Sequence, residues 1–508
     1  MMRLYQIAGL ICVFLVFCYV YQQCRGIKYR KLLIPIVAAQ LFFVLIGYKH
    51  LSIPVITYLF IGGVGVPSII NGMMFDPNIL LIVAATYLPF NLLLPGTFGG
   101  LMKAFNLTNI VVFSLFVSLF LSKKQNTERY YSTSRVVMAL LGAYIVLTLM
   151  AYVKGSLYHG IHYLMAFIFP VKRWLDPIVV FYLFYKMVKS RDIIKIIFAI
   201  LMLTVIANIF FGVLQWVYLG FGTYSDFKRR LTGFSGHPNF YGSFIAYYLG
   251  FLIGPFLTHF RKNSAKCLIF PSLLGLRIII PTNSRGAWLA LVAALPTISF
   301  FRSKFTFLLF IFGICLVIIF PDYLLPDTVR SRVGAAVQPG VVEEAIYTVP
   351  GPGTILSESK AISIRTRWLL LQSGLELAKE NIWFGSGWGV FPYRIGDYNP
   401  DLRRASAHNI WLQMLCEMGL LTVAAIFFML LFLFKVAIYV FKRESDPMLK
   451  GMTLGFLASI SAVIFANLTG NRFDAEELMF PFWIIAACVL QLKNIILTER
   501  LKQEMKPR

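Results

Sequence analysis

The chain has 508 residues, 58% of them hydrophobic and 14% charged, with a mean hydropathy of +0.75. Soluble globular domains carry about 25% charged residues, so the composition excludes them and leaves an all-α polytopic membrane protein. The net charge of +25 does not point to nucleic acid, because the basic residues gather in alternate short breaks, as cytoplasmic loops require.

Apolar runs of membrane-crossing length fall at residues 4–22, 32–48, 53–71, 79–96, 108–122, 136–153, 174–189, 193–219, 239–259, 266–281, 286–300, 305–320, 408–434, 450–468 and 477–494. The stretch 53–122 is rich in Gly and Pro and has room for a re-entrant segment, so about 12–15 transmembrane helices are expected. The first run lacks a small-residue cleavage site and reads as a retained anchor. Basic breaks at 25–31, 123–135, 186–195, 261–266, 302–304 and 442–450, with the tail from 493, are assigned inside. Breaks 154–173, 220–238, 282–285, 321–407 and 469–476 then face outward. Three regions follow: helices over 1–320, a large extracytoplasmic loop over 321–407, and helices with a basic cytoplasmic tail over 408–508. No Rossmann or P-loop motif is present. All the cysteines lie in apolar runs or at their edges, which gives neither a disulfide framework nor a metal spacing.

The loop 321–407 holds acidic and basic residues in equal number. Long polar intervals beside membrane helices are usually lids or binding loops. Its second half predicts an amphipathic helix over 362–378, with Ile364, Trp368, Leu371, Leu375 and Ala378 at helical spacing. A glycine turn packed with aromatics follows, Trp383-Phe384-Gly385-Ser386-Gly387-Trp388-Gly389.

Three polar stretches recur at outward positions. The first is Lys228-Arg229-Arg230-Leu231-Thr232-Gly233-Phe234, running on to His237-Pro238-Asn239. The second is Thr282-Asn283-Ser284-Arg285-Gly286-Ala287-Trp288, and the third is Ser406-Ala407-His408-Asn409, continuing to Glu417-Met418-Gly419. In this order, with the large loop before the third, they resemble the O-antigen ligase and polymerase superfamily of membrane glycosyltransferases. Arg365, Trp368 and Gly385-Ser386-Gly387 resemble that family's pattern inside the loop. The likeness covers about 220–470.

The resemblance implies a GT-C-like fold in the bacterial inner membrane, with its site facing the periplasm or cell exterior. It implies transfer of a glycan from an undecaprenyl-diphosphate donor to an acceptor hydroxyl on a glycan or lipid anchor. Inversion at the anomeric carbon, no metal, no cofactor, and other polysaccharide assembly proteins as partners are implied as well.

The residues support this chemistry independently. Arginine offers phosphate oxygens a fixed fork of donors and a charge that persists at any working pH. No Asp-x-Asp pair occurs, and fixed cations can stabilise charge on a leaving diphosphate. Such a leaving group needs no general acid, so one base suffices, and histidine is poised for that. His408 and Arg285 are therefore the candidate catalytic residues. Arg230, Arg285, Arg365 and Arg229 are the candidate diphosphate ligands, with Arg277 a further possibility. Each has a plainer reading. Arg229 and Arg230 can be juxtamembrane anchors, Arg277 a snorkelling cation, Arg365 a surface partner of Glu358, and His408 a helix-start residue. Glu417 falls on the opposite side of the helix from His408 and reads as structural. A transporter or flippase of lipid-linked sugars is the rival function; such folds usually show internal repeats and midplane sites, and neither is evident here. A structural membrane partner would leave the arginine and histidine constellation unexplained.

Overall fold

The computed structural model describes residues 2–49, 66–93, 106–121, 132–221, 230–324, 329–330 and 364–505. Among them there is no strand, and eight helices are long and apolar enough to cross a membrane. In chain order the helices are α1 (Met2–Gln23), α2 (Leu33–Lys49), α3 (Val66–Met74), α4 (Pro77–Tyr87), α5 (Leu107–Leu121), α6 (Ser132–His159), α7 (Tyr163–Met187) and α8 (Arg191–Tyr218). Then come α9 (Pro238–His259), α10 (Ile269–Ile279), α11 (Arg285–Arg302), α12 (Lys304–Ile319), α13 (Ile364–Glu380), α14 (Phe391–Tyr398), α15 (Ile410–Arg443), α16 (Pro447–Ala466) and α17 (Glu476–Glu504).

Helix α8 is the axis of the bundle and is apolar all round, as a helix buried on every side must be. Some of its polar groups find partners inside. Gln40 donates to Thr204 at 2.9 Å, and Tyr241 donates to the Asn208 carbonyl at 2.9 Å. One end of the bundle collects the basic breaks. Arg191 there reaches Glu444 and Glu499, each at 2.7 Å, and Lys28 reaches Asp76 at 3.0 Å. The opposite end collects residues 160–162, 230–237, 280–284, 364–409 and 467–475.

Two readings of the sequence change. Residues 154–173 are not one loop: α6 runs to His159 and α7 starts at Tyr163. The charges that break the apolar pattern there are compensated, Lys172 by Asp176 one turn on and Arg173 by Glu476 at 3.8 Å. In the early region α3 and α4 are short and meet at Asp76, whose carboxylate accepts from the Asn78 N–H at 3.1 Å and so caps α4. Residues 50–65 and 94–105, the rest of the expected re-entrant region, lie outside the described residues.

In the segment 364–409, α13 covers the described part of the predicted helix, residues 362–363 lying outside the described residues, but a largely different face is buried. Trp368 and Leu375 are 58% and 43% exposed, while Leu370, Ser373, Gly374, Leu377 and Ala378 turn inward. These pack with Phe391, Ile395, Leu402 and Leu412 into a small core of their own. Small residues form part of the buried stripe because Gly374 meets Leu412 and its carbonyl accepts from the Cys416 thiol at 3.0 Å. Apolar periodicity does not count such residues.

Candidate functional site

Three chain breaks converge with the start of α15 at the end opposite the basic loops. Arg230 is 8% exposed and donates through Nε to the Thr282 carbonyl at 2.8 Å. Its Nη2 donates to the Asn283 carbonyl at 3.0 Å and to Asn239 Oδ1 at 3.1 Å. Arg230 thus ties the break before α9 to the break before α11. Ser284 caps α11 by accepting from Ala287 N, which sets half-buried Arg285 at the first helical position. His237 opens α9, and its Nδ1 accepts from the Asn239 N–H at 3.2 Å. Burial, then the charges of Arg230 and Arg472, lower its pKa to about 4.

Arg472 was not anticipated. It sits in the break between α16 and α17, is 2% exposed, and packs its guanidinium on Gly286, where a Cβ would overlap it. Its backbone N–H donates to Asn467 Oδ1 at 3.0 Å, and its Nη1 donates to the Ala466 carbonyl. Among the described residues no carboxylate stands within salt-bridge range of it, and its Nε has no hydrogen-bond partner. Burial presses against its charge, and Asp474 eases that only at longer range. Aromatic contacts fix the segment: Phe473 lies 5.9 Å from Trp174 and 5.7 Å from Trp411. A lone arginine in a break at the end opposite the basic loops, against the positive-inside trend, is the sequence signal that marks it.

His408 faces the same space. Its φ of 46° is left-handed, a conformation costing an L-residue about 1–2 kcal/mol. Such strain persists where surrounding structure over-determines it, commonly at functional sites. Asn409 caps α15, and the Ile410 N–H donates to the Asn467 carbonyl at 3.0 Å, which binds the helix start to the Arg472 segment. Burial first, then the charges of Arg367 and Arg472, lower the His408 pKa to about 4. The ring is therefore neutral near pH 7 and able to take up a proton.

Buried guanidinium groups beside a neutral imidazole suit a phosphorylated anion and a hydroxyl to be deprotonated. The decisive comparison is with known families: a model described as O-antigen ligase matches residues 270–427. The match covers part of the chain and supports its likeness to the O-antigen ligase and polymerase superfamily. No curated protein matches the chain.

The O-antigen ligase segment contains Arg285, Arg365, Arg367 and His408, whereas Arg230, His237 and Arg472 come from outside it. The structure brings Arg230, Arg285 and His408 to one end. Arg229 lies outside the described residues, as does the Arg365 side chain; the charge of Arg367, two positions on, acts on His408. Arg277 is exposed and stacks on Trp216 at 4.3 Å, the arrangement of a snorkelling cation. His159 takes part in packing: Nε2 meets the Gly389 carbonyl at 3.2 Å and its ring meets Tyr393 at 4.6 Å. Among the described residues no group of three or more His, Cys, Asp and Glu stands as a metal site.

Two further motifs of the O-antigen ligase likeness form one clasp. Ser386 N donates to the Cys416 carbonyl at 2.7 Å, Gly387 N to the Glu417 carbonyl at 2.9 Å, and Leu420 N to the Ile382 carbonyl at 2.7 Å. Gly419 breaks α15 with φ 83°, and the Glu417 carboxylate accepts from Phe391 N at 3.2 Å and Gln413 Nε2 at 3.3 Å. Gly385 (φ 68°) approaches the Glu417 backbone so closely that a Cβ would collide. On the other side Trp388 N donates to the Ala151 carbonyl of α6 at 2.8 Å. The clasp seats the segment 364–409 and so sets where α13 carries Arg367.

Proposed function

We propose that the protein transfers or polymerises glycan from an undecaprenyl-diphosphate-linked donor onto an acceptor hydroxyl at the outer face of the bacterial inner membrane. Arg230, Arg285 and Arg472 hold the diphosphate, and Arg367 adds positive potential. The anomeric carbon–oxygen bond to the diphosphate breaks as the acceptor oxygen attacks from the opposite face, with inversion. The departing diphosphate keeps the bonding electron pair, and the guanidinium groups stabilise the charge it gains. His408 takes the acceptor's proton. No metal ion takes part in this reading.

The observation that carries the proposal is Arg472: a buried cation with no carboxylate in salt-bridge range among the described residues, in the same cluster as a neutral histidine. A buried charge needs a partner, and an anionic substrate supplies one. The test is reconstitution of the full chain in nanodiscs or proteoliposomes with a lipid-diphosphate oligosaccharide. Longer chains or transfer to a second acceptor, undiminished by EDTA, are expected. Movement of the donor across the bilayer without bond formation would establish the flippase instead, and activity restored only by added magnesium or manganese would end the metal-free mechanism.

A further inference from the structure

Trp383 and Phe384 belong to no apolar run. They lie in the polar interval between α12 and α15, yet they stay 57% and 49% exposed. The backbone beneath them is fixed. Leu420 N donates to the Ile382 carbonyl at 2.7 Å and Leu421 N to the Trp383 carbonyl at 3.4 Å. Gly419 stands so close that a Cβ would collide with the Trp383 carbonyl and the Phe384 nitrogen. The aromatic pair is therefore held level with Leu420 and Leu421 of α15, which are exposed as well. From there an exposed stripe continues along α15 through Phe427, Phe428 and Leu431, the spacing of one helical face. A contiguous apolar patch of this kind marks an interaction surface.

Helix lengths place its upper end in a bilayer. α15 has 34 residues and α16 has 20, about 51 Å and about 30 Å of helix. Their ends are nonetheless joined. The Ile410 N–H donates to the Asn467 carbonyl, and Arg443 is followed closely by Pro447. The surplus length is taken up at Gly419 (φ 83°, ψ 172°), so residues 410–418 run across the end of the bundle while 420–443 make the crossing. From Leu421 to Lys442, at the basic end, is about 32 Å of helix, close to the roughly 30 Å thickness of bilayer hydrocarbon. Lys154 of α6 gives the same level independently. It stands about 28 Å of helix from Arg135 in a basic break. Its Nζ donates to the Gly385 carbonyl at 2.6 Å and to Asn381 Oδ1 at 3.3 Å, beside the aromatic pair.

We infer that Trp383 and Phe384 are a membrane-interface anchor, with their rings at the headgroup–acyl boundary of the leaflet away from the basic loops. The argument for lipid as the occupant is continuity with the lipid-facing stripe of α15, at a depth that two helices fix separately. Tryptophan suits that boundary, having an apolar body and an N–H for the wet side. A lysine at the same level keeps its ammonium in the headgroups. The open face of α13 is different: Trp368 and Leu375 stand there among exposed Gln372, Glu376 and Lys379, a mixed surface that faces water. The bilayer thus supports the clasp from a third side, beside α6 and α15, and fixes the height at which α13 carries Arg367.

The test uses the full chain labelled with 5-fluorotryptophan in nanodiscs. The Trp383 and Trp368 fluorine resonances are assigned from Trp383→Phe and Trp368→Phe. A nitroxide carried near the headgroup of a lipid should broaden the Trp383 signal beyond detection. A water-soluble gadolinium chelate should leave that signal visible and remove the Trp368 signal. Loss of the Trp383 signal to the chelate would put the pair in water, as a glycan-stacking surface requires, and overturn the anchor. A Trp383 signal that survives both reagents would show a protein surface over it, from this chain or a second copy, and overturn it equally. The support is read separately. Trp383→Glu should speed amide exchange over 381–398 several-fold, and Trp368→Glu should leave it unchanged. Native exchange in Trp383→Glu would show that the bilayer holds no part of the clasp.

Discussion

The two ends of the bundle treat their cations differently. At the basic end Arg191 grips Glu444 with both carboxylate oxygens, at 2.7 and 2.9 Å, and reaches Glu499 as well. Lys195 pairs with Asp446. At the other end Arg472, more deeply buried than Arg191, donates to a backbone carbonyl and has no carboxylate in salt-bridge range among the described residues. A paired cation completes the fold. One with no carboxylate in salt-bridge range carries a folding penalty, the feature on which the proposed diphosphate site rests.

The largest expected effect tests the base beside those cations. His408→Ala should lower single-turnover transfer by about 10²–10⁴-fold while donor affinity stays near the native value. In the native protein the acid limb of kcat/KM should fall near pH 4, because burial and the charges of Arg367 and Arg472 disfavour the protonated ring. A limb near the ordinary histidine pKa of about 6.5 would mean that the titrating base is another group or is not so buried. Arg472→Leu removes one of those charges, so the limb should move to higher pH in that variant.

The comparison itself breaks or holds on a pair of variants. Arg472→Leu should lower transfer by about 10²–10³-fold, the cost of losing one donor to developing charge, yet leave thermal stability equal or higher. Arg191→Leu should do the reverse. It strands Glu444, whose side chain is fully buried, at roughly 2–3 kcal/mol once the partial exposure of Arg191 is allowed for. Surviving molecules should turn over normally. Melting curves and specific activity measured together decide it; parallel loss of both in both variants would erase the distinction between the ends.

Arg285→Lys comes next. Charge remains but the fork is lost, so donor affinity and rate should both fall, by about tenfold or more. Native values in nanodiscs would reduce Arg285 to a helix-start residue.

Much of this was legible in the sequence, and the exceptions share a cause. Composition and charged breaks gave the membrane class and the side on which Arg230, Arg285 and His408 meet, because those signals are local. Arg472 was not legible, because its significance lies in packing against Gly286, far away in sequence. The buried face of α13 was misread because Ser373 and Gly374 carry no hydropathy signal, while Trp368 and Leu375 carry a strong one and stay exposed. Arg365 fitted the motif but its side chain lies outside the described residues, whereas Arg367, whose charge acts on His408, carried no motif signal.

The smallest expected effect separates the clasp from the cation cluster. The Glu417 carboxylate accepts two hydrogen bonds, from Phe391 N and Gln413 Nε2, and Glu417 is 2% exposed. Its role is to hold the start of α14 against α15. A glutamine side-chain oxygen can accept from Phe391 N in the same place, so Glu417→Gln should keep activity within about threefold and stability within about 1 kcal/mol. Glu417→Ala removes the acceptor and leaves a buried N–H unsatisfied, at about 1–3 kcal/mol. The external element should then loosen, with faster amide exchange over 381–398 and a higher acceptor KM. If Glu417 instead moved a proton in the reaction, the glutamine variant would be the damaging one. It would lose about 10²-fold or more in rate with an unchanged melting temperature. That result would transfer the base from His408 to the clasp and require the donor to bind on the other side of α15.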